Sequence, residues 1–185
     1  TDDPHNPAYG VVDRYRLLFE VGLVPEFPQA PYDVGCPLYL GGYFRRNFDA
    51  VRLSRAGLPP ADAGTPLLVY TNHPSWWDPI HFLLLASIEL PGLRVYGPMD
   101  AEALAKYGFF RRIGAFPVER DSRRGAAAFL RTSEAVLGLP EASLWLTAQG
   151  RFTDPRCRPI EIRPGLAHLA RRVPGLSLVP LAVEY

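Results

Sequence analysis

The sequence is poor in lysine and in cysteine and has no long apolar run, and each shortage removes a class of protein. Of its 20 basic residues only Lys106 is a lysine, and 19 acidic residues leave a net charge of +1. No global basic field therefore points to nucleic acid as a partner. The arginine bias does suit bidentate binding of phosphate or carboxylate. The two cysteines, Cys36 and Cys157, have no metal-ligand spacing and make no disulfide framework, so two free thiols are expected. No apolar stretch reaches the roughly 18 residues that a membrane-spanning helix needs. No charged-then-apolar leader opens the chain, and the expectation is that there is no signal peptide. A G-x-S-x-G nucleophile elbow is missing too, so no serine nucleophile of that kind is on offer.

What is present suits a folded globular chain. The sequence has 185 residues, 48% of them hydrophobic and 21% charged, about one domain and enough to bury a sizeable core. Residues 1–60 read as an N-terminal helical segment that could face a membrane, and residues 61–185 as an α/β domain. In the first part, apolar residues recur at helical spacing over 10–24, and an aromatic- and arginine-rich helix is expected over 38–56. Pro25, Pro28, Pro31 and Pro37 break the chain between them, and 57–65 is a Pro/Gly linker. Both helices can pack on a core; their alternative role is to lie on a lipid surface. The chain stops in an apolar strand-like run at Tyr185, which suggests a piece of a longer protein.

Beyond residue 60, strands are expected at 66–70, 93–97, 113–120, 143–147 and 177–183. Helices are expected from Pro79, over 100–107 with Asp100 as cap, over 122–137 with Ala127, Phe129, Leu130 and Val136 inward, and over 163–172. Strands alternating with helices predict an α/β fold with a mixed, largely parallel sheet flanked by helices. Such a sheet carries its site at the carboxyl ends of its strands.

The stretch Thr71-Asn72-His73-Pro74-Ser75-Trp76-Trp77-Asp78 lies at the first of those ends, where a strand gives way to a helix. Asp78 before Pro79 is a good candidate N-cap. His73 has the one side chain whose ordinary pKa, about 6.5, suits proton uptake near neutrality. A carboxylate that accepts from one ring nitrogen fixes the tautomer and leaves the other nitrogen to take a proton from a hydroxyl. With no serine elbow, the pair reads as a general base acting on a substrate's own hydroxyl. Taken alone, the two residues can equally be a structural hydrogen bond.

Two other strand ends carry charge. Arg120 follows an apolar strand, and Gln149-Gly150-Arg151 forms a tight turn in which glycine lets the backbone close on a ligand and arginine can hold an anion. Each feature is also commonplace at a solvent-facing strand exit.

In combination these stretches resemble the glycerolipid (lysophosphatidic acid type) acyltransferase family. Asn72-His73 with Asp78 is similar to its N-H-x4-D block, and Gly114-Ala115-Phe116-Pro117-Val118-Glu119-Arg120 to its second block. Ala148-Gln149-Gly150-Arg151-Phe152-Thr153 resembles the third, usually P-E-G-T-R-S, and Val179-Pro180-Leu181 the fourth. The resemblance implies transfer of a fatty acyl group from acyl-CoA or acyl carrier protein to a hydroxyl of a lysophospholipid or other lipid acceptor. It implies His73 as general base and Asp78 as its orienter, with Asn72, Phe116, Arg120, Gln149, Gly150 and Arg151 binding substrate. It implies no metal and no cofactor beyond the thioester co-substrate, and a peripheral position on the cytoplasmic face of a membrane. The third block departs from the family: Gln149 replaces Glu, Ala148 replaces Pro, and Arg151 comes one position early. A neutral amide cannot accept charge-assisted bonds as a carboxylate can, which points to an altered acceptor site and to acceptors such as a hydroxylated or glycosylated lipid. The alternatives are a non-catalytic lipid-binding protein of the same fold and a thioester hydrolase.

Overall fold

Five short apolar segments of the chain pair side by side, all parallel, in a single sheet. The structure, a computed structural model, describes residues 9–11, 35–54, 64–90 and 92–185. The chain divides into two compact units, Thr1–Pro60 and Ala61–Tyr185. In the first, strands β1 (Tyr9–Val11) and β2 (Arg52–Ser54) pair antiparallel, and helix α1 spans Gly35–Asn47. Three expectations change here, the first being that Pro37 breaks the chain: it lies in the first turn of α1, where its missing N–H costs no helical bond. Gly10 and Val11 are in a strand, not the start of a helix; the rest of the 10–24 stretch, Pro25, Pro28 and Pro31, and 57–63 lie outside the described residues. The second helix stops at Asn47, short of Ala56, because 52–54 are used in β2. Asn47 closes it by donating from its side chain to the Tyr43 carbonyl at 2.7 Å.

The second unit runs β3 (Leu67–Thr71), α2 (Asp78–Glu89), β4 (Arg94–Asp100), α3 (Ala101–Lys106), a 3-10 turn at Gly108–Ile113, β5 (Ala115–Val118), α4 (Arg123–Leu137), β6 (Ala142–Thr147), α5 (Gly165–Arg172) and β7 (Ser177–Leu181). The strand order across the sheet is β5-β4-β6-β3-β7. Every neighbouring pair is parallel, so the sheet has no antiparallel member. Leu68 pairs with Leu144 and Val69 with Trp145, so alternate side chains feed opposite faces. On one face Leu68, Leu144 and Leu146 pack with Val136 and Leu137 of α4 and Leu169 of α5. On the other, the Trp145 ring lies 5.3 Å from Phe82 of α2. Full burial of each such side chain stabilises the fold by roughly 1.5–3 kcal/mol. Parallel strands covered on both faces read as continuous apolar runs, which is why β3 and β6 are legible in the sequence.

Helix starts follow local chemistry. Asp100 caps α3, its side chain accepting from the N–H groups of Glu102 and Ala103 at 3.1 Å each. Ser122 caps α4 by accepting from Gly125 N–H at 2.8 Å. Ala127, expected to face inward from α4, is exposed, and the buried stripe runs through Gly125, Ser133, Val136 and Leu137. At Gly114, φ is +90° and a Cβ would stand 2.1 Å from the Val95 carbonyl oxygen, so glycine is required for the chain to enter β5 against β4.

Candidate functional site

The ends of β3, β6 and β7 are adjacent, and the side chains that leave them meet around His73. Thr71 is the last residue of β3 and Asp78 the first of α2. Asp78 is therefore not the N-cap that its place before Pro79 suggests; Trp77 holds that position and gives no side-chain cap. The carboxylate is engaged elsewhere. Its Oδ2 accepts from His73 Nδ1 at 2.6 Å and, more distantly, from Ser75 N–H at 3.4 Å. Its Oδ1 accepts from the Tyr185 hydroxyl at 2.7 Å. The Asp78 side chain has no exposed surface, and that of His73 is 15% exposed. Burying a carboxylate is costly unless donors compensate it, and here three donors and the N-terminal end of α2 do so.

Because an ionised carboxylate only accepts, His73 Nδ1 carries the proton in this pair. Nε2 makes no hydrogen bond to a described residue, and its lone pair is the basic position. The His73 backbone is fixed from both sides: its N–H donates to Gln149 Oε1 at 3.0 Å, and its carbonyl accepts from Thr153 N–H at 2.9 Å. Gln149, 8% exposed, is thus turned into the protein. The Phe152 ring lies 4.2 Å from the imidazole, Trp76 lies 5.8 Å from Phe152, and Tyr107 sits edge-on to Trp76 at 6.3 Å. Trp76, Phe152 and Tyr107 are all exposed, so the ring faces an open apolar shelf.

The other residues that the sequence singles out are dispersed. Asn72 is a strap: its side chain donates to the Val183 carbonyl at 2.7 Å and accepts from Val183 N–H at 2.8 Å. Phe116 is buried within the core cluster, a packing position where the resemblance implies a substrate contact. Arg120 is half-exposed and its Nε lies 3.1 Å from Asp100 Oδ2. Arg151 pairs with Glu161 on the surface. Gly150 has φ +64° and makes the tight turn expected of it, with the Arg163 side chain packed where a Cβ would go. His73 and Asp78 are brought together; Gln149 and Asn72 act on the backbone beside them. Tyr185, Phe152 and Trp76 are neighbours that motif spacing did not single out. Only the rule that parallel strand exits converge could have pointed to the segment after β7.

Neighbouring groups respond to the buried carboxylate. Burial lowers the pKa of His81, one turn along α2, although the Asp78 charge opposes this. Burial pushes the Tyr185 phenol above its ordinary value, and its bond to Asp78 and that residue's charge act in the same direction. Among known proteins, a family model described as Acyltransferase matches residues 51–184. No curated protein and no solved structure matches the chain.

Proposed function

Because the chain belongs to the acyltransferase family, whose reaction is acyl transfer, we propose that it moves a fatty acyl group from a thioester to a hydroxyl of a lipid acceptor. The observation that carries this reading is the 2.6 Å contact between His73 Nδ1 and the buried Asp78 carboxylate, with Nε2 left unengaged. The acceptor hydroxyl gives its proton to Nε2 as its oxygen attacks the thioester carbonyl. Asp78 holds Nδ1–H and stabilises the imidazolium that forms. The tetrahedral intermediate then expels the thiolate, which takes the proton back from Nε2, so a C–O bond replaces a C–S bond. A thioester is already activated, so raising the nucleophilicity of the hydroxyl and orienting it over the carbonyl is most of the work.

The donor in this reading is acyl-CoA or acyl carrier protein, and no other cofactor takes part. The shelf of Trp76, Phe152 and Tyr107 beside the imidazole supports an acyl or lipid substrate. No helix among the described residues is long and apolar enough to cross a membrane. The acceptor is met at a lipid surface, with the protein peripheral on the cytoplasmic face; liposome co-sedimentation tests this, and no binding would overturn it.

The decisive assay offers purified protein a labelled long-chain acyl-CoA and a panel of lipid acceptors, with His73→Ala as control. A labelled acyl-lipid that disappears in the variant is expected. Free fatty acid as sole product, lost in the same variant, would show a hydrolase. Unchanged transfer by His73→Ala would remove His73 from the chemistry. Asp78→Asn is expected to lower kcat by about 10³–10⁴-fold, as when the orienting carboxylate of a histidine base is neutralised.

A further inference from the structure

The segment after β7 carries a side chain to the buried carboxylate, at the oxygen the histidine does not use. Val183 is buried, Glu184 exposed, and the Tyr185 hydroxyl reaches Asp78 Oδ1 at 2.7 Å, an inward–outward–inward alternation. Asn72 fixes this alternation by clasping the backbone of Val183 at both N–H and carbonyl, 2.8 and 2.7 Å away. The Thr71 hydroxyl donates to Asn72, with the Asn72 carbonyl at 3.1 Å and its Oδ1 at 3.2 Å as acceptors. Tyr185 is 46% exposed as a residue, but its hydroxyl end is turned to a carboxylate with no exposed surface.

The two oxygens of Asp78 thereby have separate donors. Oδ2 faces His73 Nδ1, with Ser75 N–H more distant at 3.4 Å, and Oδ1 faces the tyrosine. A carboxylate with one anchored oxygen can rotate about Cβ–Cγ and release its histidine; one anchored at both cannot do so without breaking a charge-assisted hydrogen bond. We propose that Tyr185 is a positioning residue for the base: its hydroxyl fixes the Asp78 carboxylate so that Oδ2 stays on His73 Nδ1–H through the catalytic cycle. The inference rests on the reading of His73 as the base. Among the described residues, the titratable groups facing Asp78 are His73 from the loop after β3, His81 from α2 and Tyr185 from the segment after β7. Burial disfavours charge on His81, and Tyr185 holds its proton beyond its ordinary range, so the tyrosine stays a donor through neutral and mildly alkaline pH.

The test is Tyr185→Phe in the full chain, which keeps the ring and removes the donor. Turnover with acyl-CoA is expected to fall about ten- to a hundredfold in kcat, with KM for both substrates unchanged, because orientation is lost and binding is not. Asp78 then keeps more of its charge for the imidazolium, so the acid limb of the pH–rate profile should move up by roughly half a unit. The NMR resonance of the His73 Nδ1 proton, assigned by its absence in His73→Ala, should shift as well. In an Asp78→Asn background, Tyr185→Phe should change kcat no further. Unchanged kcat, acid limb and resonance would overturn the inference, and so would a rise in KM alone, which would make Tyr185 a substrate contact. Should the phenylalanine variant not fold, 3-fluorotyrosine placed at 185 keeps the ring and strengthens the donor. The acid limb and the resonance must then move the opposite way, and no movement would sink the idea. If His73→Ala still turns over, the base assignment fails, and the Nδ1 resonance alone decides whether Tyr185 positions the pair.

Discussion

Replacing Gln149 separates a structural from a substrate-binding reading of the third motif. In the structure its amide oxygen accepts from His73 N–H at 3.0 Å, while Thr153 N–H donates to the His73 carbonyl at 2.9 Å. His73 lies in the loop beyond β3, so no sheet ladder can serve that N–H. Gln149→Leu keeps much of the volume and deletes the acceptor. A buried donor left unsatisfied costs roughly 1–3 kcal/mol. For a chain of this size that corresponds to a fall in Tm of roughly 3–10 °C, readable by calorimetry. The same change frees the backbone of His73, and if that residue is the base proposed above, a displacement of about 1 Å at a reacting group can lower turnover by about a hundredfold. Acyl transfer by Gln149→Leu should therefore drop in kcat, with the KM of the acceptor nearly unchanged.

Gln149→Glu is the informative partner. A glutamate offers the same kind of acceptor oxygen, so the clamp on His73 persists and kcat should stay within about tenfold of the original. On this account glutamine and glutamate serve the His73 N–H alike. If Gln149→Leu matches the original protein in both Tm and kcat, the clamp carries no weight. If its kcat holds while the acceptor KM rises, the side chain recognises the acceptor, as the sequence alone suggests.

Other perturbations follow from the same geometry. Gly114→Ala forces a Cβ to within 2.1 Å of the Val95 carbonyl oxygen at φ +90°, and should destabilise the fold by roughly 3 kcal/mol or more in denaturant titrations; a near-neutral effect would show that the β4–β5 junction can relax. Asn72→Ala removes both bonds to Val183 and should lower kcat by loosening the segment that bears Tyr185, with little change in acceptor KM; a change in KM alone would return Asn72 to substrate binding. The pKa of His81 is depressed in the fold, so below its ordinary value of about 6.5 the unfolded chain binds more protons and stability falls with pH. His81→Phe should flatten the decline in Tm between about pH 7.5 and about pH 5.5, and an unaltered slope would assign that decline to other groups.

The alternation of strand and helix was legible because β3 and β6 are buried on both faces and read as apolar runs, and because α3 and α4 begin at the recognisable caps Asp100 and Ser122. His73 and Asp78 were legible because they lie within one loop and the first turn of one helix. What local sequence could not convey was partner choice. Asp78 looks like a helix cap by propensity, yet its carboxylate turns to His73 and Tyr185, since a buried charge must take its strongest donors. Phe116 lies in a recognisable motif but on the inward-facing side of β5, and the packing demand of the core decides its place. The bond of Gln149 to His73 was hidden because its partner, a backbone N–H, has no side-chain identity to detect. The early end of α1 was hidden for a related reason, as the pairing of 52–54 with 9–11 is non-local.

Strand order explains why the pair can be held from two directions. β3 lies between β6 and β7 and runs parallel to both, so all three chains leave the sheet on the same side. The exit of β6 supplies Gln149 and Thr153, which grip the His73 backbone. The exit of β7 supplies Tyr185, which grips Asp78, and it is itself tied down by Asn72 from the exit of β3. His73 and Asp78 are therefore each supported by a different neighbouring strand, and the 2.6 Å bond between them joins the two supports. An antiparallel neighbour would send its exit to the far edge of the sheet and leave one member unsupported. The exposed rings of Phe152, Trp76 and Tyr107 add no hydrogen bonds to this framework and leave its apolar side open to a substrate. In this arrangement rigidity comes from the strand exits and access from the aromatic shelf.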